Sequence, residues 1–281
     1  MNVEDVVIRE MSKSELGRAL DWAAAEGWNP GLYDAESFYA VDPKGFFIAE
    51  RAGAPLGCVS AVAYDESFGY VGLFIIRPPY RGQGVGLRLL DVALQHVQGR
   101  NVGLDAAIDL QQTYARYGFT FAYRNIRHRC VGGGGEAPPD VTELADVPFD
   151  EIVQYDQTVF PTSRLNFLSH WIAQPQSAAL AVVRQGRLAG YGVLRACRDG
   201  YKIGPLFADD LQIADALFQG LCARAAGAPV FLDTPEANAA AIALAQRRQM
   251  TAVFDTARMY TEGMPPGRID RCYGVTTFEL G

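Results

Sequence analysis

Arg81-Gly82-Gln83-Gly84-Val85-Gly86 is the stretch of this sequence best suited to hold a diphosphate. Glycines at 82, 84 and 86 let the backbone approach a ligand closely and point successive amides the same way. An apolar run, Tyr70–Ile76, precedes the stretch, and Leu90, Ala93, Leu94 and Val97 follow it at i, i+3, i+4 and i+7. That spacing predicts a strand, a basic loop with Pro78-Pro79, and a helix over Gly84–Val97. The helix N-terminus adds unpaired N–H groups and partial positive charge. Arg77, Arg81 and Arg88 supply guanidiniums for charge-assisted contacts to phosphate. Two other phosphate loops are excluded. The dinucleotide fingerprint needs a glycine where Leu87 or Leu89 stands, and a P-loop needs Gly-Lys-Ser/Thr where Gly86 is followed by Leu87.

The elements around this stretch alternate. Ser12-Lys13-Ser14-Glu15 has capping-box spacing and opens a helix that stops at Gly27. Phe46–Arg51 and Leu56–Tyr64 form a hairpin through Gly53-Ala54-Pro55. After the glycine-rich loop and its helix come a strand over Val102–Ala106, a helix over Asp109–Tyr117 and a strand over Phe119–Arg129. Gly132–Gly135 with Glu136-Ala137-Pro138-Pro139 reads as a flexible linker. The expected organisation is therefore a domain over 1–131, a linker over 132–140 and a domain over 141–281. The second half repeats the order: strands end at Tyr201–Pro205, then come a helix Asp209–Ala225, a strand Val230–Asp233, a helix Glu236–Gln249, and strands Ala252–Tyr260 and Tyr273–Glu279. Leu104-Asp105 answers Leu232-Asp233, which points to an internal duplication. The fold class expected is α/β, of the α+β kind with a mixed sheet, in tandem.

Composition sets the outer bounds. The 281 residues are 49% hydrophobic and 20% charged, with a net charge of −7. That balance allows a sizeable core and argues against the basic footprint of a nucleic-acid binder. Met1–Asp5 is acidic with no apolar run behind it, and no apolar stretch of roughly 18 residues exists, so neither signal peptide, membrane span nor membrane partner is expected. Five scattered cysteines and three histidines lack disulfide-framework or metal-ligand spacing. The expectation is a cytoplasmic chain with reduced thiols and no metal; a homodimer stays open.

Arg81-x-x-Gly84-x-Gly86, together with Tyr114-Ala115-Arg116-Tyr117-Gly118-Phe119 downstream, resembles the acetyl-CoA signature and closing Tyr-x-x-x-Gly-Phe of the GCN5-related N-acetyltransferase (GNAT) superfamily. The resemblance covers about residues 1–130, and WNPGLYD, YKIGPLFADD and GVTTFELG are similar to bacterial two-domain members with a divergent second half. It implies that acetyl-CoA lies against Phe74, Ile75, Ile76, Arg81, Gly82, Gln83, Gly84, Val85, Gly86, Gln112 and Tyr114. It further implies acetyl transfer to an amine of a small molecule or peptide by direct attack in a ternary complex. Tyr114 corresponds to the family's acid for the departing thiolate. A base is harder to place: Tyr70–Ile76 contains no carboxylate where family members often carry Glu, which leaves Glu66 as the catalytic candidate beside Asp65, with a bound water or the C-terminal carboxylate of Gly281 as other routes. The family's Asn seven residues before the tyrosine is Ala107 here, with Gln111 and Gln112 as substitutes. Asp209 and Asp210 occupy the second half's phosphate position and suit a helix cap there, so that half is expected to shape the acceptor pocket without binding CoA, with acids including Asp156, Asp233 and Glu279 to attract a cationic amine. The missing strand carboxylate also admits a CoA-binding sensor or scaffold without turnover.

Overall fold

Capping chemistry opens the first helix where the sequence predicts it. Glu15 accepts the backbone N–H of Ser12 at 2.9 Å, and α1 runs Lys13–Ala25. The computed structural model describes residues 5–133, 135–225 and 227–281, so Met1–Glu4 and Gly134 of the expected linker lie outside the described residues. The first half contains β1 (Val7–Glu10), α1, α2 (Asp34–Val41), β2 (Phe46–Arg51), β3 (Ala54–Ala63), β4 (Phe68–Ile76), α3 (Val85–His96), β5 (Asn101–Ala106), α4 (Gln111–Ala115) and β6 (Thr120–Val131). The second half repeats that order as β7 (Val141–Glu143), α5 (Phe149–Asp156), α6 (Leu165–Trp171), β8 (Ser177–Arg184), β9 (Arg187–Ala196), β10 (Tyr201–Ala208), α7 (Leu211–Ala223), β11 (Pro229–Pro235), α8 (Ala239–Arg247) and β12 (Thr251–Tyr260). A short β13 (Cys272–Gly274) is added. The fold is mixed α/β, built twice in tandem.

The two halves exchange their last strands. One continuous sheet runs β1-β2-β3-β4-β5-β12-β6-β11-β10-β9-β8-β7. Thus β12 of the second half pairs with β5 of the first, and β6 of the first half pairs with β11 of the second. Buried charges mark the register on both sides of the exchange. Arg258 faces Asp105 across β12 and β5, and Arg127 faces Asp233 across β6 and β11. A one-residue slip would turn each arginine to the other face of the sheet and leave each aspartate unpaired.

Packing as well as the sheet joins the halves. One apolar cluster lies under α3 and another under α7 and α8, while a third combines α1 and α2 with α5 and α6. In the shared cluster Phe38 stacks on the fully buried Trp171 at 6.2 Å between centroids, and the Trp171 indole donates to Gly204 O at 2.9 Å. The linker departs from expectation. Gly133 N–H bonds Cys222 O at 2.6 Å and Gly132 N–H bonds Ala228 O at 2.7 Å, so these glycines are pinned to the second half. The expected strand Tyr273–Glu279 also shortens to β13. Beyond it, the Thr277 hydroxyl accepts the N–H groups of Glu279 and Leu280, both at 2.9 Å, which folds the segment into a turn.

Candidate active site

A bulge in β4 opens the sheet. Ser60 pairs with Gly72 and Cys58 with Ile75, so Leu73 and Phe74 together oppose Val59. Leu73 takes a left-handed φ of 45°, and its carbonyl accepts the Cys58 thiol at 3.2 Å. Parallel pairing of β4 with β5 ends at Val71 and Leu104. Beyond that point β5 pairs with β12 on its other side, and among the described residues no strand lies along the β5-facing edge of β4. A cavity occupies the gap. Gly72, Leu73 and Phe74 line one side, Asp105 and Tyr114 another, and Trp28, Phe254, Phe278 and Glu279 close it.

The glycine-rich loop runs from the end of this splayed strand into α3. Gly84 is the N-cap of α3 at φ 83°, and no side chain caps the helix. The first amides of a helix have no intrahelical partner, so this end is open to an anion. Gly82 also has positive φ, at 69°. Gly86 serves packing: a Cβ there would stand 3.1 Å from the Phe74 ring, so its absence seats the buried Val85 turn of α3 close on β4. Two residues of the loop hold its shape. Arg81 Nε donates to Ile76 O at 2.8 Å and its guanidinium pairs with Glu26, while Gln83 donates to Pro79 O at 2.8 Å. Arg77 likewise donates to Pro55 O at 2.7 Å. Sequence reasoning assigned Arg77 and Arg81 to phosphate contact; in this structure both brace the loop. Ile75 is buried on the face away from Phe74 and Ile76, which are half-buried.

The equivalent place in the second half is closed twice over. Asp210 is the N-cap of α7, and its carboxylate accepts Ile213 N–H at 2.9 Å where Gly84 has no side chain. The strands β10 and β11 also part after Ile203 and Leu232, as β4 and β5 do after Val71 and Leu104. There β13 fills the gap. Gly274 and Cys272 pair with Leu206 and Phe207 on β10, and Val275 N–H bonds Asp233 O at 2.9 Å on β11. The chain then crosses to the first half. Gly204 and Gly72, each the first residue past its last parallel pair, lack the Cβ that would collide with the carbonyls of Thr276 and Glu279.

The candidate acid and base fare differently. Tyr114 is buried, stands edge-on to Phe74 at 6.4 Å and to Phe119 at 6.0 Å, and faces the cavity. Burial holds its phenol well above the usual tyrosine range. Gln112, on the same helix, is exposed and outside the cavity lining. Glu66 is an exposed residue of the turn before β4 and does not line the cavity. Strand position explains this: Glu66 lies in the turn before Phe68, where β4 begins, and Phe74 lies near the other end of that strand. Its neighbour Asp65 accepts the N–H groups of Ser67 and Phe68 at 2.7 and 2.9 Å, a turn-forming role.

Two carboxylates do line the cavity, Asp105 and Glu279. Asp105 is saturated: Tyr70 and Arg258 donate to one oxygen at 2.7 Å each, and Asn125 and Thr256 to the other at 2.7 and 3.0 Å. Glu279 is buried, yet its Oε2 has no hydrogen-bond partner. The sequence offered Glu279 only as one of several acids of the second half. What brings it to the site is the turn at Thr277, more than 200 residues after Gly72 in the chain. Among the described residues no group of three or more His, Cys, Asp or Glu side chains is placed to hold a metal, and no helix is long and apolar enough to cross a membrane.

A splayed parallel strand pair, an uncapped helix after a glycine-rich loop and a tyrosine at their junction define an acyltransferase that draws on an acyl-CoA cosubstrate and requires an acceptor. Residues 13–119 match the Acetyltransferase (GNAT) family and residues 152–274 match a further Acetyltransferase (GNAT) domain, and the chain is a two-domain GNAT protein. It is similar to holothin acyltransferase of Pseudoalteromonas sp. (strain SANK 73390), at 29% identity over 265 residues that span 93% of this chain and 90% of that protein. Its fold superposes on the crystal structure of a Pyrococcus horikoshii protein with a TM-score of 0.86, at 20% identity, over 100% of this chain and 98% of the other. A tandem GNAT protein from the clavulanic acid biosynthesis pathway superposes with a TM-score of 0.61, at 12% identity, over 91% of this chain and 98% of that one.

Proposed function

We propose that the protein transfers an acetyl group from acetyl-CoA to a primary amine by direct attack in a ternary complex, at the N-terminal half only. The observation that carries this is the contrast between two equivalent helix ends: α3 begins at Gly84 with no capping side chain, and α7 begins at Asp210 with its amide bonded to a carboxylate. Only the first can take a diphosphate on its N–H groups. In this reading the pantetheine arm lies along the unpaired edge of β4 beyond Val71, as an added strand would. Phe74, Ile75, Ile76 and the loop Arg81–Gly86 flank it. Tyr114 stands at the junction as the acid for the departing sulfur. The apolar surroundings that raise its phenol also raise the proton affinity of a thiolate leaving beside it, so the two stay matched. Both matching families carry the acetyltransferase name, which favours acetyl as the group transferred. The similar Pseudoalteromonas protein is named as an acyltransferase of holothin, which supports acyl transfer as the reaction here.

The test is thiol release by the purified chain from acetyl-CoA and from longer acyl-CoAs, against a panel of small amines and peptides with free amines. Amine-dependent release, fastest with acetyl-CoA, is the expected result. Release that prefers a longer acyl chain would overturn the acetyl assignment. Binding of acetyl-CoA without turnover on any amine would make the chain a CoA-binding scaffold.

A further inference from the structure

Glu279 combines three properties found together nowhere else around the cavity. It is a carboxylate, it is 3% exposed, and its Oε2 lacks a partner. The other carboxylate of the lining, Asp105, holds four hydrogen bonds. An orphaned buried carboxylate oxygen costs stability unless a donor occupies the space before it. The group that would satisfy it must be a hydrogen-bond donor, and an amine acceptor is one.

From this geometry we infer that Glu279 takes the proton of the attacking amine, and that Thr277 is the residue that positions it. The assignment rests on the acyl-transfer reading above. The nitrogen lone pair forms a bond to the thioester carbonyl carbon, the nitrogen gives one proton to Glu279, and the carbon–sulfur bond breaks. The sulfur leaves with the bond's electron pair and takes the proton of Tyr114. Solvent returns a proton from Glu279 to Tyr114, so amine and thioester become amide and free thiol with every proton accounted for. The two protein groups come from opposite halves of the chain, Tyr114 on α4 and Glu279 beyond β13.

The second half delivers Glu279 through its own sealed slot. β13 is anchored between β10 and β11, and Arg164 steadies the next residues by donating to Thr276 at 2.9 Å while paired with Asp156. The Thr277 turn then swings Glu279 over Gly72, where no Cβ blocks its backbone. The charged and titratable groups around it come from several elements: Arg127 of β6 and Arg195 of β9 both feel its charge, and Asp105 of β5 and Tyr114 of α4 share its cavity.

The test is Glu279→Gln, which keeps the shape and removes the base. Expected are a fall in turnover of about 10²-fold or more and acetyl-CoA affinity within a few-fold by calorimetry. Thr277→Val removes the turn's acceptor and should lower turnover in the same sense, and Thr277→Ser should restore it. That series keeps the test decisive if Glu279→Gln folds poorly, since Thr277→Val with wild-type turnover would then overturn the positioning role and with it the assignment. Unchanged turnover in Glu279→Gln with only a raised KM for cationic amines would make Glu279 a counter-ion and overturn its role as base. A wild-type chain that releases no thiol with any acyl-CoA and amine would instead remove the acyl-transfer reading itself.

Discussion

Arg258 and Asp105 stand directly opposite each other on β12 and β5 with their charged groups 2.7 Å apart, and each comes from a different half of the chain. Arg127 and Asp233 repeat the arrangement at 2.7 Å on β6 and β11 with the halves reversed. The Leu-Asp pair visible at 104–105 and again at 232–233 is therefore the receiving end of a strand supplied by the other half. Burial pushes the Asp233 carboxyl up, but the charge and hydrogen bonds of Arg127, with Lys202 and Arg195 behind it, outweigh that and hold it below its usual range.

Replacing Arg258 with Met should leave Asp105 buried beside its three remaining donors with its charge uncompensated. A loss of about 3–5 kcal/mol is expected, the usual scale for breaking a buried pair from one side. Urea unfolding measures it. Arg127→Met should do the same to Asp233. Because Asp233 is lowered in the folded state, the stability it contributes is complete above the unfolded Asp value of about 3.9 and drains away as pH falls below it. A loss under about 1 kcal/mol in both variants would show that the strand exchange does not depend on these pairs.

Gly84→Asp places at α3 the residue type that closes α7. Aspartate tolerates left-handed backbone better than most residues, so the fold should survive. Its charge would repel a diphosphate at the helix end. Calorimetry with acetyl-CoA should show affinity lower by at least tenfold, and unchanged affinity would move the diphosphate elsewhere.

Tyr114→Phe retains the edge-on packing against Phe74 and Phe119 and deletes the proton. Turnover should fall by about 10²-fold, with stability little altered. Wild-type turnover under conditions where chemistry limits the rate would leave Tyr114 as a packing residue.

A chain cut after Val131 should not fold to a stable monomer. Its β6 would lose both neighbours, β12 and β11, and β5 would lose β12. Aggregation, or dimers in which two fragments trade β6, is the outcome expected from such open edges. A soluble monomeric fragment with native circular dichroism would contradict this and show that β6 can close against its own half.

Local features were legible in the sequence, and long-range ones were not. The strand, loop and helix around Arg81–Gly86 are contiguous, so glycine spacing and apolar periodicity sufficed to place them. Asp210 was readable as a cap for the same reason. The strand exchange left no such trace: β6 and β12 each carry a pattern that suits either neighbour, and the choice is made by arginines whose partners lie 106 and 153 residues away. The glycines at 132 and 133 looked free because their restraints, Ala228 O and Cys222 O, lie 96 and 89 residues further along the chain. Glu66 was nominated by sequence proximity to the signature, while Glu279 reaches the cavity through a turn and a strand that occupy the second half's slot.

The exchanged strands also have a consequence for biosynthesis. As the chain leaves the ribosome, the open edge of β5 must wait roughly 150 residues for β12, which at typical elongation rates of about 5–20 residues per second is on the order of ten seconds or more. During that interval β6 is available as a false partner for β5, within the same nascent chain or on a neighbouring one. The sheet edge beside the Gly84 loop is thus made early and completed late, and the cavity is not closed until Glu279 has emerged.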